Sequence, residues 1–213
     1  VKDSDTIIAV NAPKPVSNPP NGEEPWQPER KQQRAFWRQW RTSFASSQPQ
    51  AHHQASALIR ERMDCLLGAL SDQVEGLRVG LYWPIEAEPD WRDAAPRWRA
   101  RGIELLLPVV LPGRVLKFRR WNAGSTISVD RWGIGFPKVG PWWAPDVLIA
   151  PCLAIDPRGF RLGYGGGYYD RFQAMHPVPL FGVAFSRQQV LLADQPHDRR
   201  LAGWITEREL RVL

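Results

Sequence analysis

The spacing of apolar positions changes several times along the chain, and each change marks an expected element. From Arg30 onward the period is helical: Phe36, Trp37, Trp40 and Phe44 form one stripe, and Arg34, Arg38 and Arg41 the opposite one. Arg38 and Arg41 are read as part of a solvated face. A second helix is expected over residues 50–69, where Ala55, Ile59, Met63 and Leu66 share a side and His52 and His53 face solvent. A short apolar strand, 79–83, is stopped by Pro84. Helical spacing returns over 91–101 with Trp91, Ala94, Ala95 and Trp98, followed by strands at 103–110 and 115–121 and a loop from 128 to 144. Residues 146–150 are almost continuously apolar, as in a parallel strand covered on both faces. A glycine-rich loop, a helix over 168–175 and a buried strand at 180–185 complete the pattern. Strands alternating with helices specify an α/β layer fold.

The first 28 residues do not share this pattern. They hold six of the chain's 20 prolines and few large apolar residues, too little to offset the entropy of ordering, so residues 1–28 are expected to form a flexible tail and 29–213 one domain. With 43% hydrophobic and 23% charged residues over 213 positions, the composition is that of a globular protein. A net charge of +6 calls for an anionic partner, either nucleic acid or a phosphate-bearing small molecule. The cysteines, Cys65 and Cys152, have neither disulfide nor zinc-ligand spacing, and no apolar run is long enough for a membrane span. Neither a membrane nor a secretory route is expected, and the protein is placed in the reducing cytoplasm. Eleven tryptophans exceed what a core of this size absorbs, which suggests that some line a site for a flat ligand.

The segment Asp156 to Phe172 carries the chemistry. Gly163, Gly165, Gly166 and Gly167 fall within five positions between a buried strand and a helix, where glycine lets backbone amides approach a ligand. The loop runs into a helix N-terminus, which favours an anion, and Arg161 adds a fixed positive charge. No Gly-Lys-Ser/Thr follows, so this is not a Walker A loop, and Tyr168 stands where a dinucleotide fingerprint needs glycine or alanine.

Pro151, Asp156, Gly159, Arg161-Leu162-Gly163 and Gly167-Tyr168-Tyr169-Asp170 together resemble the signature of the 5-formyltetrahydrofolate cyclo-ligase (5,10-methenyltetrahydrofolate synthetase) family, and weaker likeness extends over residues 30–207. The resemblance implies a single three-layer α/β domain around a mostly parallel sheet, of the NagB/RpiA/CoA-transferase-like type, in a monomeric enzyme. It implies an ATP site formed by Arg30, Lys31, Arg34, Arg161, Gly163, Tyr164, Gly165, Gly166, Gly167, Tyr168, Tyr169 and Asp170. Asp170 is the implied ligand of a Mg²⁺ cofactor. Glu86, at the end of the first strand, is the implied catalytic carboxylate, with Arg161 and Tyr168 beside it; Tyr82, Glu86, Glu88, Trp132 and Tyr168 are implied to contact the folate. Read from the loop alone, Glu88 and Asp90 are exposed acids. The family often has Glu-Pro after the aromatic at Trp132, where this chain has Phe136-Pro137; His197-Asp198 and Thr206-Glu207 match a further element, and a magnesium-linked Asp of some members falls at Ala202.

The reaction so implied is cyclisation of 5-formyltetrahydrofolate at the expense of ATP, giving 5,10-methenyltetrahydrofolate, ADP and phosphate, with ATP and the folate as partners and no nucleic acid. Two other readings are kept: from the scaffold, a phosphosugar isomerase or CoA-transferase relative, and from the basic charge and many aromatics, a non-catalytic RNA-binding protein.

Overall fold

The computed structural model describes residues 29–72, 76–193 and 199–213; the expected tail and the His197-Asp198 pair lie outside them. Two long helices, α1 (Arg30–Ser47) and α2 (Pro49–Ser71), lead into β1 (Arg78–Gly80), α3 (Ala95–Ala100), β2 (Glu104–Leu111), β3 (Val115–Arg120), β4 (Ile127–Val129), β5 (Gly135–Pro137), β6 (Val147–Pro151), β7 (Ala154–Ile155), β8 (Arg161–Leu162), α4 (Tyr168–Met175), β9 (Leu180–Val183), β10 (Gly203–Ile205) and β11 (Leu210–Val212).

Seven strands form the central sheet in the order β11-β10-β9-β6-β1-β2-β3. The inner five are parallel, and β3 and β11 close the two edges antiparallel. The apolar runs explain why the sheet is covered twice. In β2 and β6 alternate residues turn to opposite faces. Leu105, Leu107, Val147 and Ile149 pack with Ile59, Met63 and Leu67 of α2 and Trp98 of α3, while Leu106, Leu148 and Ala150 pack with Phe172 of α4 and Trp204. Three layers result.

Three expectations about elements need correction. Residues 128–144 are not all loop, because Ile127–Val129 and Gly135–Pro137 pair as an antiparallel hairpin; strands of three residues are too short to show a period. The helix expected over 91–101 begins only at Ala95, after a turn. Arg41 does not sit on a solvated face. It follows Trp37 by four residues, so it lies one turn above it on the packed side, and both are buried.

Candidate active site

A cleft of about 1200 Å³ opens at the carboxyl ends of β1 and β6, bounded by Tyr82, Trp83 and Pro151; sites of open α/β sheets form at such strand ends. Eight arginines and four carboxylates line it, an excess of positive charge that attracts anions.

One wall is the loop between β8 and α4. Gly165 (φ 90°) and Gly167 (φ 63°) hold left-handed backbone that residues with a Cβ rarely adopt. A Cβ on Gly163 would meet nothing within 4 Å, so the space beside it is open. Among the described residues, the amides of 163–170 donate to no backbone carbonyl. That leaves a run of donors at the start of α4, the arrangement that accepts an anion. Arg34 Nε donates to Gly163 O (2.9 Å), and Arg30, one turn earlier on α1, lines the same cleft with its Nη2 donating to Ala193 O (3.0 Å). Lys31 is exposed and outside the cleft lining. Arg161 is buried; its Nη2 donates to Asp170 Oδ1 (2.5 Å), and its Nη1 is buried without a partner.

The opposite wall is the loop after β1. Glu86 and Ala87 are consecutive non-glycine residues in left-handed conformation (φ 48° and 62°). Both oxygens of the Glu86 carboxylate accept from Arg38. Arg41 Nε donates to Glu86 O (2.8 Å), and His52 Nε2 lies 2.9 Å from Ala87 O, positioned to donate to it. His52 is therefore not a solvent-facing residue, as its sequence position suggested; it is half-buried against Phe44 and Phe185. Nor is Glu88 an exposed acid. Its side chain is 1% exposed, and its oxygens accept from the Ile85 amide (2.9 Å) and the Tyr164 hydroxyl, with Arg41 Nη2 3.5 Å away. Burial pushes the Glu88 carboxyl up to about 6 against the opposing pull of Arg41 and these hydrogen bonds. Both oxygens are engaged in holding the loop, and the residue borders the cleft.

Tyr82 is buried, its hydroxyl donating to Pro89 O (3.1 Å). Burial, and after it the Glu88 charge, raises the Tyr82, Tyr164 and Tyr169 phenols, which keeps all three neutral. Trp132, 46% exposed, stands at the rim on the β4–β5 hairpin, edge-on to Tyr168 with ring centroids 6.4 Å apart. The hairpin lies against the Trp83 indole, where a Cβ on Gly135 would come within 2.5 Å of the ring. Phe136 belongs to this hairpin, and Glu207 is occupied with the Ser186 amide and hydroxyl.

The cleft thus brings Arg30, Arg34, Tyr82, Glu86, Trp132, Arg161, the glycine loop and Asp170 together. Ala202 does not join them. Its amide donates to Leu180 O at the start of β9, and it packs on the core outside the cleft lining. Of the two arginines expected on a solvated face, Arg38 is exposed but reaches Glu86 at the cleft, whereas Arg41 is buried beside Glu88. The signal was present: Arg30, Arg34, Arg38 and Arg41 recur at helical spacing on one side of α1. As to a metal, no group of three or more His, Cys, Asp or Glu side chains among the described residues forms a cage. Asp170, bordering the cleft beside the uncommitted amides, fits an ion that takes its remaining oxygens from phosphate and water, the habit of Mg²⁺.

Residues 27–207 match the model of the 5-formyltetrahydrofolate cyclo-ligase family. The chain is 28% identical over 164 residues to the 5-formyltetrahydrofolate cyclo-ligase of Mycolicibacterium smegmatis (68% of this chain, 81% of that one). It is 30% identical over 132 residues to that of Haemophilus influenzae (57% and 70%). The solved structure of Aquifex aeolicus 5,10-methenyltetrahydrofolate synthetase superposes with a TM-score of 0.69 at 26% identity, covering 86% of this chain and 92% of that one. The chain belongs to the 5-formyltetrahydrofolate cyclo-ligase family.

Proposed function

We propose that the cleft binds ATP along the glycine loop and 5-formyltetrahydrofolate between Glu86 and Trp132, and that the enzyme closes the folate to 5,10-methenyltetrahydrofolate with release of ADP and phosphate. Family membership supports the reaction. The observation that carries the placement is the uncommitted amide run at 163–170, with the unpartnered Arg161 Nη1, in the same cleft as Glu86.

A formyl amide is a poor electrophile. Transfer of the γ-phosphoryl group of ATP to its oxygen converts that oxygen into a leaving group; N10 then attacks the formyl carbon and the C–O bond to phosphate breaks. The protein's part is positioning and charge stabilisation. Amides of the glycine loop and Arg161, Arg30 and Arg34 hold and neutralise the phosphates. Asp170 would hold Mg²⁺, which would supply further charge neutralisation. Glu86 orients the N5-formyl region and accepts the N10 proton as the ring closes. Trp132 offers an exposed indole face for the pterin, and Tyr168 stands between the two ends. The test follows the near-ultraviolet absorbance of the methenyl product with 5-formyltetrahydrofolate and Mg-ATP. Product that forms only with ATP is expected; formation without ATP, or none with it, refutes the assignment.

A further inference from the structure

Arg41 lies outside the cleft lining and meets Glu88 and Tyr164, which line the cleft wall; none of the three has been given a step in the chemistry just described. Arg41 is 2% exposed in its side chain, and its charge faces Glu88 Oε1 at 3.5 Å. The same Nη2 donates to the Tyr164 hydroxyl, which in turn donates to Glu88. Three elements converge here: α1 through Arg41, the loop after β1 through Glu88, and the glycine loop through Tyr164. The Nε of Arg41 is spent on the carbonyl of Glu86, the first of two left-handed residues, and His52 from α2 stands against the carbonyl of the second. Left-handed backbone is disfavoured for any residue with a Cβ, so a pair of such residues persists only where surrounding contacts enforce it. Glu88 closes the turn from inside, its amide donating to Ile85 O (3.0 Å) and its carboxylate accepting from Ile85 N (2.9 Å).

We propose that Arg41 is a positioning residue: with Glu88 and Tyr164 as its counter-groups, it holds Glu86-Ala87 in the left-handed conformation and ties that loop to the glycine loop, so the Glu86 carboxylate is fixed relative to the phosphate site before substrates enter. This rests on the reading of the cleft as a formylfolate and ATP site. Arg34, two turns earlier on α1, grips the neighbouring carbonyl of Gly163. One rigid helix therefore sets both walls of the cleft, and the distance between them follows from the helical rise.

The test uses the full chain in the methenyl-forming assay and compares Arg41→Lys, Ala87→Gly and the double variant. Lysine keeps the charge but loses the fork that reaches Glu86 O, Glu88 and Tyr164 together. The expected result for Arg41→Lys is a kcat lowered about tenfold with KM for ATP within about twofold of wild type. Glycine at 87 accepts left-handed backbone without strain, so Ala87→Gly alone should leave kcat near wild type and in the double variant should restore most of it. A residue that only stabilised the fold would give no such rescue of kcat. Wild-type kcat in Arg41→Lys, or a loss that Ala87→Gly does not repair, overturns the proposal. Should Arg41→Lys not fold, Tyr164→Phe decides: it removes one hydroxyl, and an unchanged kcat overturns the proposal while a severalfold fall supports it. A wild-type enzyme that forms no product overturns the reading of the cleft and the proposal with it; an active wild type with unaffected variants overturns the proposal alone.

Discussion

Residues 85–88 and 163–167 face one another across the same cleft and are held in contrasting ways. The first loop is fixed from outside: Arg41 from α1 and His52 from α2 reach its backbone carbonyls, Arg38 and Tyr164 hold its Glu86 and Glu88 carboxylates, and two residues keep left-handed φ values without being glycine. In the second the unusual conformations fall on glycines, which adopt them freely, and the amides are left uncommitted. The first loop has its carbonyls and carboxylates bonded by the protein's own groups. The second offers donors whose partners must come from outside. The proposed roles divide in the same way: a carboxylate taking one proton calls for a fixed wall, and a phosphate chain that enters and leaves calls for open donors.

Breaking the first wall at its functional atom should produce the largest effect. Glu86→Ala removes a 28% exposed side chain paired with the half-exposed Arg38, while Arg41 keeps its bond to the Glu86 carbonyl, so folding should be little affected. Turnover should fall by roughly 10²–10⁴-fold, the usual contribution of a positioned acid or base. Steady-state kinetics with a thermal melt checks this, and a folded variant with normal turnover would remove Glu86 from the mechanism.

The second wall is tested by making it resemble the first. Gly165→Val places a β-branched residue at φ 90°, and its Cβ would press on the Arg34 guanidinium at 3.2–3.3 Å. Nucleotide affinity should weaken on the order of a hundredfold, about 2.7 kcal/mol. Calorimetric titration with a non-hydrolysable ATP analogue measures it. Unaltered binding would show that this loop is not where the phosphates lie.

The same contrast explains what was legible in the sequence. The glycine loop announces itself, because its proposed role rests on the absence of side chains and four glycines in five positions are visible in one line of sequence. The sheet was legible for a related reason: strands buried on both faces read as unbroken apolar runs, as at Val147–Pro151. The first wall was only half legible. Glu86 could be placed at a strand end, but Glu88 looked like any loop acid, since its burial depends on Tyr164, 76 residues away. Arg41 was read as solvated because arginine usually is; what inverts the expectation is a carboxylate and a carbonyl brought by another element. Ala202 shows the converse. A position matched by register alone lies against the core, outside the cleft lining.

A subtler probe of the first wall is its response to pH. The Glu88 carboxyl rises from 4.5 to about 6 in the fold, mainly through burial. A raised carboxyl binds its proton more tightly in the native than in the unfolded chain. The resulting stabilisation is complete below pH 4.5 and disappears as pH climbs through 6; a gap of that size corresponds to about 2 kcal/mol. Glutamine cannot titrate, so urea unfolding of wild type and Glu88→Gln at pH 4, 5, 6 and 7 isolates this group. The stability of wild type relative to the variant should decline by about 2 kcal/mol between pH 4 and 7. A difference that stays flat would mean that Arg41, Tyr164 and the Ile85 amide fully offset the burial of the charge. A difference that grew with pH would mean that they more than offset it, making the buried carboxylate itself the source of the wall's rigidity.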